Sequence, residues 1–244
     1  MTSAKINYHA LFKDKSKVPA EFNKVAKKYD TATFLSQGYK KDLQRSVDRL
    51  ELSGDEFVLD LCCGTGQSTI CVLNSLNAGK VIGIDNSEEM LNIAKQKYSG
   101  SYKKNRLEFI KQDVMNINYE DESVDAIIMA YGIRNMPDYK VCIENLFRLL
   151  RPGGKIAFHE YSLYSNFLTH IYWTFLGHGV VIPISALISG STTIYKYLVK
   201  SVLEFPPPDD FLILLKKAGF INVMRKPMPS WRKPILHTFL ATKP

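Results

Sequence analysis

Three aspartates stand at or just beyond the ends of successive apolar runs, at positions where carboxylates could hold a small ligand. Asp60 lies in Phe57–Leu61 (FVLDL), Asp85 ends Lys80–Asp85 (KVIGID), and Asp113 follows Leu107–Gln112 (LEFIKQ). Between the first two runs comes Gly64-Thr65-Gly66, where glycine lets backbone approach a ligand and the next helix would offer unpaired N–H groups. Asp85 falls 21 residues after Gly64, the distance at which an acid suits two ribose hydroxyls. Asp113 is placed to accept from an adenine amino group, and Asp60, inside the glycine unit, would face a cation. The third glycine of G-x-G-x-x-G is absent, its place being taken by Thr69, and no Gly-Lys-Ser/Thr follows Gly66, which excludes a P-loop. A pocket with three acids and no lysine fits S-adenosyl-L-methionine (SAM), which carries an ammonium, a sulfonium and an amino-purine but no phosphate.

The elements that must position these acids follow from hydrophobic patterning. The three runs have strand length, as do Val124–Ala130 and Gly154–His159, the last opened by the turn Arg151-Pro152-Gly153-Gly154. Helical patterns separate them: from Gly66 to about Leu76, from Ser87 (an N-cap followed by Glu88 and Glu89) to Tyr98, and over Tyr139–Leu150. Strands alternating with helices predict βαβ units and a parallel sheet with right-handed crossovers. A helix over Phe211–Ala218 and two late strands, Phe220–Arg225 and Ile235–Ala241, follow. The expectation is a Rossmann-like, doubly wound, mostly parallel seven-stranded sheet with a late antiparallel strand. Short helices over Phe22–Tyr29 and Leu43–Leu50 make residues 1–52 an N-terminal helical cap.

The chain has 244 residues, 45% of them apolar, enough for one α/β domain with a full core. Its four cysteines, two of them adjacent, show neither a disulfide framework nor zinc spacing. The net charge of +8 is unevenly spread: residues 1–50 hold 11 basic and 5 acidic side chains, and residues 211–244 hold 7 and none, around an acidic middle. Between Glu160 and Lys196 lie 35 residues with no Asp, Glu, Lys or Arg. A membrane span needs about 20 mostly apolar residues. Gly177, Gly179, Pro183 and several polar side chains interrupt this stretch, so residues 161–208 read as an apolar helical insert, a lid over the active site. The polar, Lys-rich start has no apolar h-region for a secretory signal, so a cytoplasmic protein is expected, with contact at the inner face of a membrane through the insert and basic flanks.

These segments resemble the ubiquinone/menaquinone C-methyltransferase family of class I SAM-dependent methyltransferases. The resemblance rests on FNKVAKKYD (Phe22 to Asp30), VLDLCCGTG (Val58 to Gly66), VIGID (Val81 to Asp85), YGIRN (Tyr131 to Asn135), LRPGG (Leu150 to Gly154), HEYS (His159 to Ser162) and YKYLVKSVLEFP (Tyr195 to Pro206). It implies a cofactor site of Tyr29, Asp60, Cys62, Gly64, Gly66, Asp85, Asn86, Asp113, Val114 and Tyr131. Two stretches depart from the family pattern: Leu43-Gln44 stands where a Trp-Arg pair is usual after Ser36-Gln37-Gly38, and Ser230 to Ile235 replaces a Gly-rich β segment.

Methylation of a quinol carbon requires a ring hydroxyl to lose its proton. Tyr29, Asp30, Arg134, His159 and Glu160 are the candidates to assist, although an arginine cannot itself be the base. The resemblance gives Arg134 the role of stabilising the phenolate or holding the water that removes its proton, with Tyr29 shaping the pocket over the methyl group. The competing reading of Arg134 is a surface ion pair with Asp138, and His159 reads as a satisfied strand-end histidine. The expected partner is a lipid-like acceptor, with no nucleic acid and with a homodimer open. Other acceptors (a phenol, a sterol, a phospholipid amine, less readily RNA) and a non-catalytic SAM-binding role are the alternatives.

Overall fold

The computed structural model describes residues 9–35, 38–100 and 104–244; the side chains of residues 10, 29, 32–35 and 104 lie outside that description. The apolar runs form β1 (Phe57–Leu61), β2 (Lys80–Asp85), β3 (Leu107–Lys111), β4 (Val124–Ala130) and β5 (Leu150–Tyr161), all parallel. The late strands β6 (Ile221–Pro227) and β7 (Leu236–Thr242) complete one sheet in the order β3-β2-β1-β4-β5-β7-β6. β7 runs antiparallel to both of its neighbours, as the expected late antiparallel strand. Strand order reverses between β1 and β4, which is where a doubly wound sheet opens its ligand crevice.

The crossover helices are α4 (Gln67–Ser75), α5 (Glu88–Tyr98) and α6 (Tyr139–Leu149). Ser87 caps α5 by accepting from Met90 N, and Asp138 caps α6 by accepting from the amides of Lys140 and Val141. β5 begins earlier than its apolar pattern suggests. Leu150 already pairs with Val124, and the Arg151–Gly154 turn is stitched to the C-terminal strand by Gly153 N to Lys243 O (2.9 Å) and Lys243 N to Gly154 O (2.9 Å).

The helices ahead of the sheet are α1 (His9–Lys13), α2 (Val18–Leu35) and α3 (Tyr39–Asp48). At 18 residues, α2 is longer than the Phe22–Tyr29 pattern predicts, because Pro19 falls in the first turn, where its missing N–H breaks no helical bond. Beyond β5 come α7 (Phe167–Leu176), a π turn (Gly177–Val181), α8 (Ile182–Ser189), α9 (Thr193–Glu204) and α10 (Pro208–Lys217). Gly177, Gly179 and Pro183 do not break this insert. They are absorbed by the π turn and the start of α8, giving one helical run over Phe167–Ser189.

The insert builds a core of its own rather than covering the sheet. Trp173, Ile182, Ile194, Tyr197, Val199 and Val202 pack with Leu11, Val18 and Val25 of the N-terminal helices and with Ile235 and Leu236. The Trp173 indole donates to the Val199 carbonyl at 2.9 Å. The two stretches that depart from the family pattern meet here in space. The Arg232 guanidinium lies against Gly38, whose φ of +94° admits no side chain, and Arg232 Nε pairs with Asp42 Oδ2 at 2.6 Å.

Candidate active site

A cavity of about 360 Å³ opens at the carboxyl ends of β1, β2, β3 and β4, beside the strand-order reversal. Of the sequence-predicted residues, Cys62, Gly64, Asp85, Asn86, Asp113, Val114, Tyr131 and Arg134 line it. Asp60 and Gly66 do not. Tyr29 lies in α2, but its side chain is outside the described residues.

Asp85 is set by the glycine loop itself: its Oδ2 accepts from Gly64 N at 2.8 Å and its Oδ1 from Ser87 N at 2.7 Å. Burial pushes its carboxyl above the ordinary value, and these backbone amides pull the other way. Asp113 accepts from Met115 N (2.9 Å) and Asn116 Nδ2 (3.0 Å), which orients the one-turn 3-10 helix Val114–Asn116 under the cavity. Cys62 and Tyr131, each directly after one of the neighbouring strands β1 and β4 at the reversal, both hold left-handed backbone, with φ of 57° and 59°. Such strain in residues other than glycine costs on the order of 1 kcal/mol each and gathers where a site is built.

Asp60 stands behind the wall. It is fully buried, and its Oδ2 accepts from the hydroxyls of Ser68 (2.7 Å) and Thr69 (2.6 Å). Thr69, the residue that breaks the dinucleotide glycine pattern, therefore has a definite task. Asp60 Oδ1 is buried without a hydrogen-bond partner, and burial pushes the carboxyl up to about 7. Gly66 starts α4 with φ of +80°, and a Cβ there would stand 2.8 Å from the Phe109 ring. It shapes the loop from behind.

The far wall is different. Arg134 is 5% exposed, and its Nη1 donates to Glu160 Oε1 (2.7 Å) and to the Tyr131 carbonyl (2.7 Å). The surface pair with Asp138 is not what forms, because Asp138 is occupied capping α6. Glu160 is fully buried; burial pushes its carboxyl up against the pull of Arg134. His159 is satisfied, as expected, between Ser46 Oγ (2.8 Å) and the Tyr131 hydroxyl (2.8 Å), and burial pushes it down to about 3, so it is neutral. Asp30 is committed elsewhere. It accepts from Thr65 Oγ1 (2.6 Å), Gln67 Nε2 (2.8 Å) and Lys97 Nζ (2.9 Å), clamping α2 to the glycine loop and to α5. Burial raises its carboxyl, but the bonds from Thr65 and Lys97 outweigh that and hold it below the ordinary value, which makes it a poor base.

Sequence reasoning missed the cavity wall supplied by the N-terminal segment. Lys15, Phe22 and Tyr39 line the cavity, and Tyr39 stacks on Tyr131 with ring centroids 5.6 Å apart. A lysine in the pocket contradicts the expectation of none. Its signal is not local: the Lys15 contacts are carbonyls more than 100 residues away. No residue beyond Pro137 lines this cavity, so the insert does not form its wall.

The residues fit SAM. Its ribose and adenine suit the acids at the end of β2 and just beyond β3, Asp60 offers a buried oxygen without a partner, and no phosphate cradle is present among the described residues. When bound, SAM supplies a methyl carbon on a cationic sulfur. The aromatic faces of Phe22, Tyr39 and Tyr131 would favour that charge and a flat acceptor ring alike.

The comparisons with known proteins agree with this reading. Among solved structures, a possible histamine N-methyltransferase from Thermotoga maritima, described as SAM-dependent, superposes with a TM-score of 0.66 at 18% identity, covering 93% of this chain and 100% of its own. The cyclase SpnF superposes with a TM-score of 0.70 at 17% identity, covering 93% and 95%; at such identities the fold alone is shared, and the fold does not fix the reaction. Among curated proteins, the demethylmenaquinone methyltransferase of Lactococcus lactis is 34% identical over 86% of this chain and 84% of its own. That of Oceanobacillus iheyensis is 32% identical over 84% and 87%. The model of the ubiE/COQ5 methyltransferase family matches residues 11–229, from the cavity-lining N-terminal segment to the turn after β6. The chain therefore belongs to the ubiE/COQ5 methyltransferase family and is a SAM-dependent methyltransferase.

Proposed function

We propose that this enzyme methylates a ring carbon of a prenylated quinol, with SAM held by Asp85, Asn86, Asp113, Val114, Cys62, Gly64 and Tyr131 and with Asp60 and Gly66 shaping the loop behind them. The observation that carries the reading is the buried Arg134–Glu160 pair, whose arginine lines a cavity together with Phe22, Tyr39 and Tyr131. Arg134 stabilises the ring oxygen once its hydroxyl proton has gone to solvent, directly or by holding the water that takes it. The ring carbon then forms a bond to the methyl as the sulfur–carbon bond breaks, and the displaced ring proton leaves to restore the aromatic ring. Tyr29 keeps the role the resemblance implies, over the transferred methyl. Turnover with SAM against short-chain demethylated quinols, phenols and phospholipids tests the reading. Carbon-methylated quinol is the expected product, and methylation of a phenol or a phospholipid amine without any quinol product overturns it.

A lipid-soluble acceptor has to be met at a membrane, and one face supports peripheral contact. The Phe167–Ser189 run has a mean hydropathy of 1.6 with only 17% of its window buried, so length and composition alone would let it cross a membrane. Its inner side packs on the N-terminal helices, and Phe167, Leu168, Phe175 and Leu187 are exposed on the other. The Tyr172 hydroxyl ties the run to the carbonyl of Trp231, itself exposed beside Lys233. We expect flotation with vesicles containing anionic lipid, reduced several-fold by high salt and abolished by Phe167→Asp/Phe175→Asp without loss of SAM binding. A protein that stays at the bottom of the gradient with every vesicle composition contradicts this.

A further inference from the structure

We propose that Lys15 is a substrate-binding residue of this enzyme: with Arg134 it forms a two-cation wall that receives the ionised oxygen of the acceptor. The inference rests on the quinol reading above and names how that ring is held.

The cavity is polarised by the topology. Asp85 ends β2 and Asp113 follows β3, on one side of β1, whereas Lys15 and Arg134 stand beyond the end of β4 on the other. Lys15 Nζ donates to the carbonyls of Arg134 (2.9 Å) and Met136 (2.8 Å), which grips the turn that carries Arg134. An ammonium has three donors, so one remains after these two. The two cations differ in how they are neutralised. Arg134 has Glu160 in hydrogen-bond contact, while among the described residues no carboxylate lies within ion-pair distance of Lys15. Burial pushes the Lys15 ammonium down, Glu204 acts on it only through space to raise it, and Arg134 repels it.

A buried-side cation with no ion-pair partner, a remaining donor and a neighbouring cation is a site for an anion. Two anions could reach it: an ionised ring oxygen of the acceptor or the carboxylate of SAM. The position beside Arg134, away from the acids at β2 and β3, favours the ring oxygen. In the reaction the developing negative charge would then meet two fixed cations, which is electrostatic stabilisation by groups already in place.

Binding alone tests this, independently of turnover. The probes are 2-hydroxy-1,4-naphthoquinone, an anion at neutral pH, against neutral 1,4-naphthoquinone, and S-adenosylhomocysteine against 5′-methylthioadenosine, which lacks the carboxylate. The wild-type protein should prefer the anionic naphthoquinone. Lys15→Met should weaken that anion by about tenfold or more while leaving the neutral ring within a few-fold. Lys15→Arg should keep the preference, and Lys15→Gln, which can still donate to one carbonyl, should lose it even if Lys15→Met folds poorly. An anion preference that survives in both Lys15→Met and Lys15→Gln overturns the proposal. So does a loss confined to S-adenosylhomocysteine with 5′-methylthioadenosine unaffected, which would place the SAM carboxylate at Lys15. Failure of quinol turnover with the anion preference intact would instead count against the quinol reading and not against this wall.

Discussion

Arg134→Ala should lower turnover of a demethylated quinol by about 10²- to 10³-fold while leaving SAM affinity within a few-fold, since removing one preorganised group at the developing charge typically has that effect. The separation is expected because Arg134 lies on the β4 wall, away from Asp85 and Asp113. A complication comes from the partner. Glu160 is fully buried with its Oε1 on Arg134, so deleting the arginine leaves a carboxyl in the core facing an empty space. Removing one half of a buried pair costs roughly 3–5 kcal/mol, enough to endanger the fold. Arg134→Ala/Glu160→Gln removes that charge. The double variant should recover most of the lost melting temperature and none of the lost turnover. If turnover returns with stability, or if the single variant turns over normally, Arg134 acts only in packing and the mechanistic role falls. Steady-state kinetics, calorimetric SAM titration and thermal melts on the same preparations decide the matter.

What the sequence showed and what it hid divide along contact distance. The strands and crossover helices were legible because their signals are local. Ser87 precedes the helix that it caps, β1, β2 and β4 are bounded as their apolar patterns suggest, and β3 stops one residue short of its pattern, at Lys111. Local reasoning supplied only the competing reading of Arg134, a pair with Asp138 four residues on. Asp138 is instead held by the amides of the next helix, and the counter-ion comes from β5, 26 residues away. Lys15 was invisible for the same reason: nothing near it in the chain tells a gripping lysine from a solvated one. The two departures from the family pattern looked independent in sequence, yet Arg232 fills the space left by Gly38 and pairs with Asp42. The insert shows the limit of composition. An uncharged stretch announces a surface that water disfavours, but only packing shows that one side goes to the N-terminal helices and the other faces out, with none of it lining the cavity.

Asp60→Asn should make the protein more stable at pH 8 and worse at holding SAM. Burial lifts the Asp60 carboxyl from 3.8 to about 7. A raised value in the folded state means that the fold retains a proton the unfolded chain gives up. The stability this lends is complete below about pH 4 and is lost as pH rises through about 7. At pH 8 the wild-type fold therefore carries an ionised carboxylate in its core, with one oxygen on Ser68 and Thr69 and the other without a partner. At about 1.4 kcal/mol per unit, that ionised group costs up to roughly 4 kcal/mol. An amide keeps the bonds from the two hydroxyls through its oxygen but leaves its N–H₂ unpaired, which returns about 1–3 kcal/mol. The net gain of about 1–3 kcal/mol is a rise of roughly 2–12 °C in melting temperature for a chain of this size. The variant-minus-wild-type difference should shrink towards zero or reverse by about pH 5, since groups common to both proteins cancel in it. SAM affinity should move the other way, falling by about tenfold, because the carboxylate that costs stability is the one expected to favour a cationic ligand. In the wild type that affinity should climb between pH 6 and about 7.5 and then level off, while the variant stays flat. An Asp60→Asn protein with unchanged SAM binding at pH 8 would make this carboxylate a structural cap for α4 alone, and the buried oxygen without a partner would lose its connection to the cofactor.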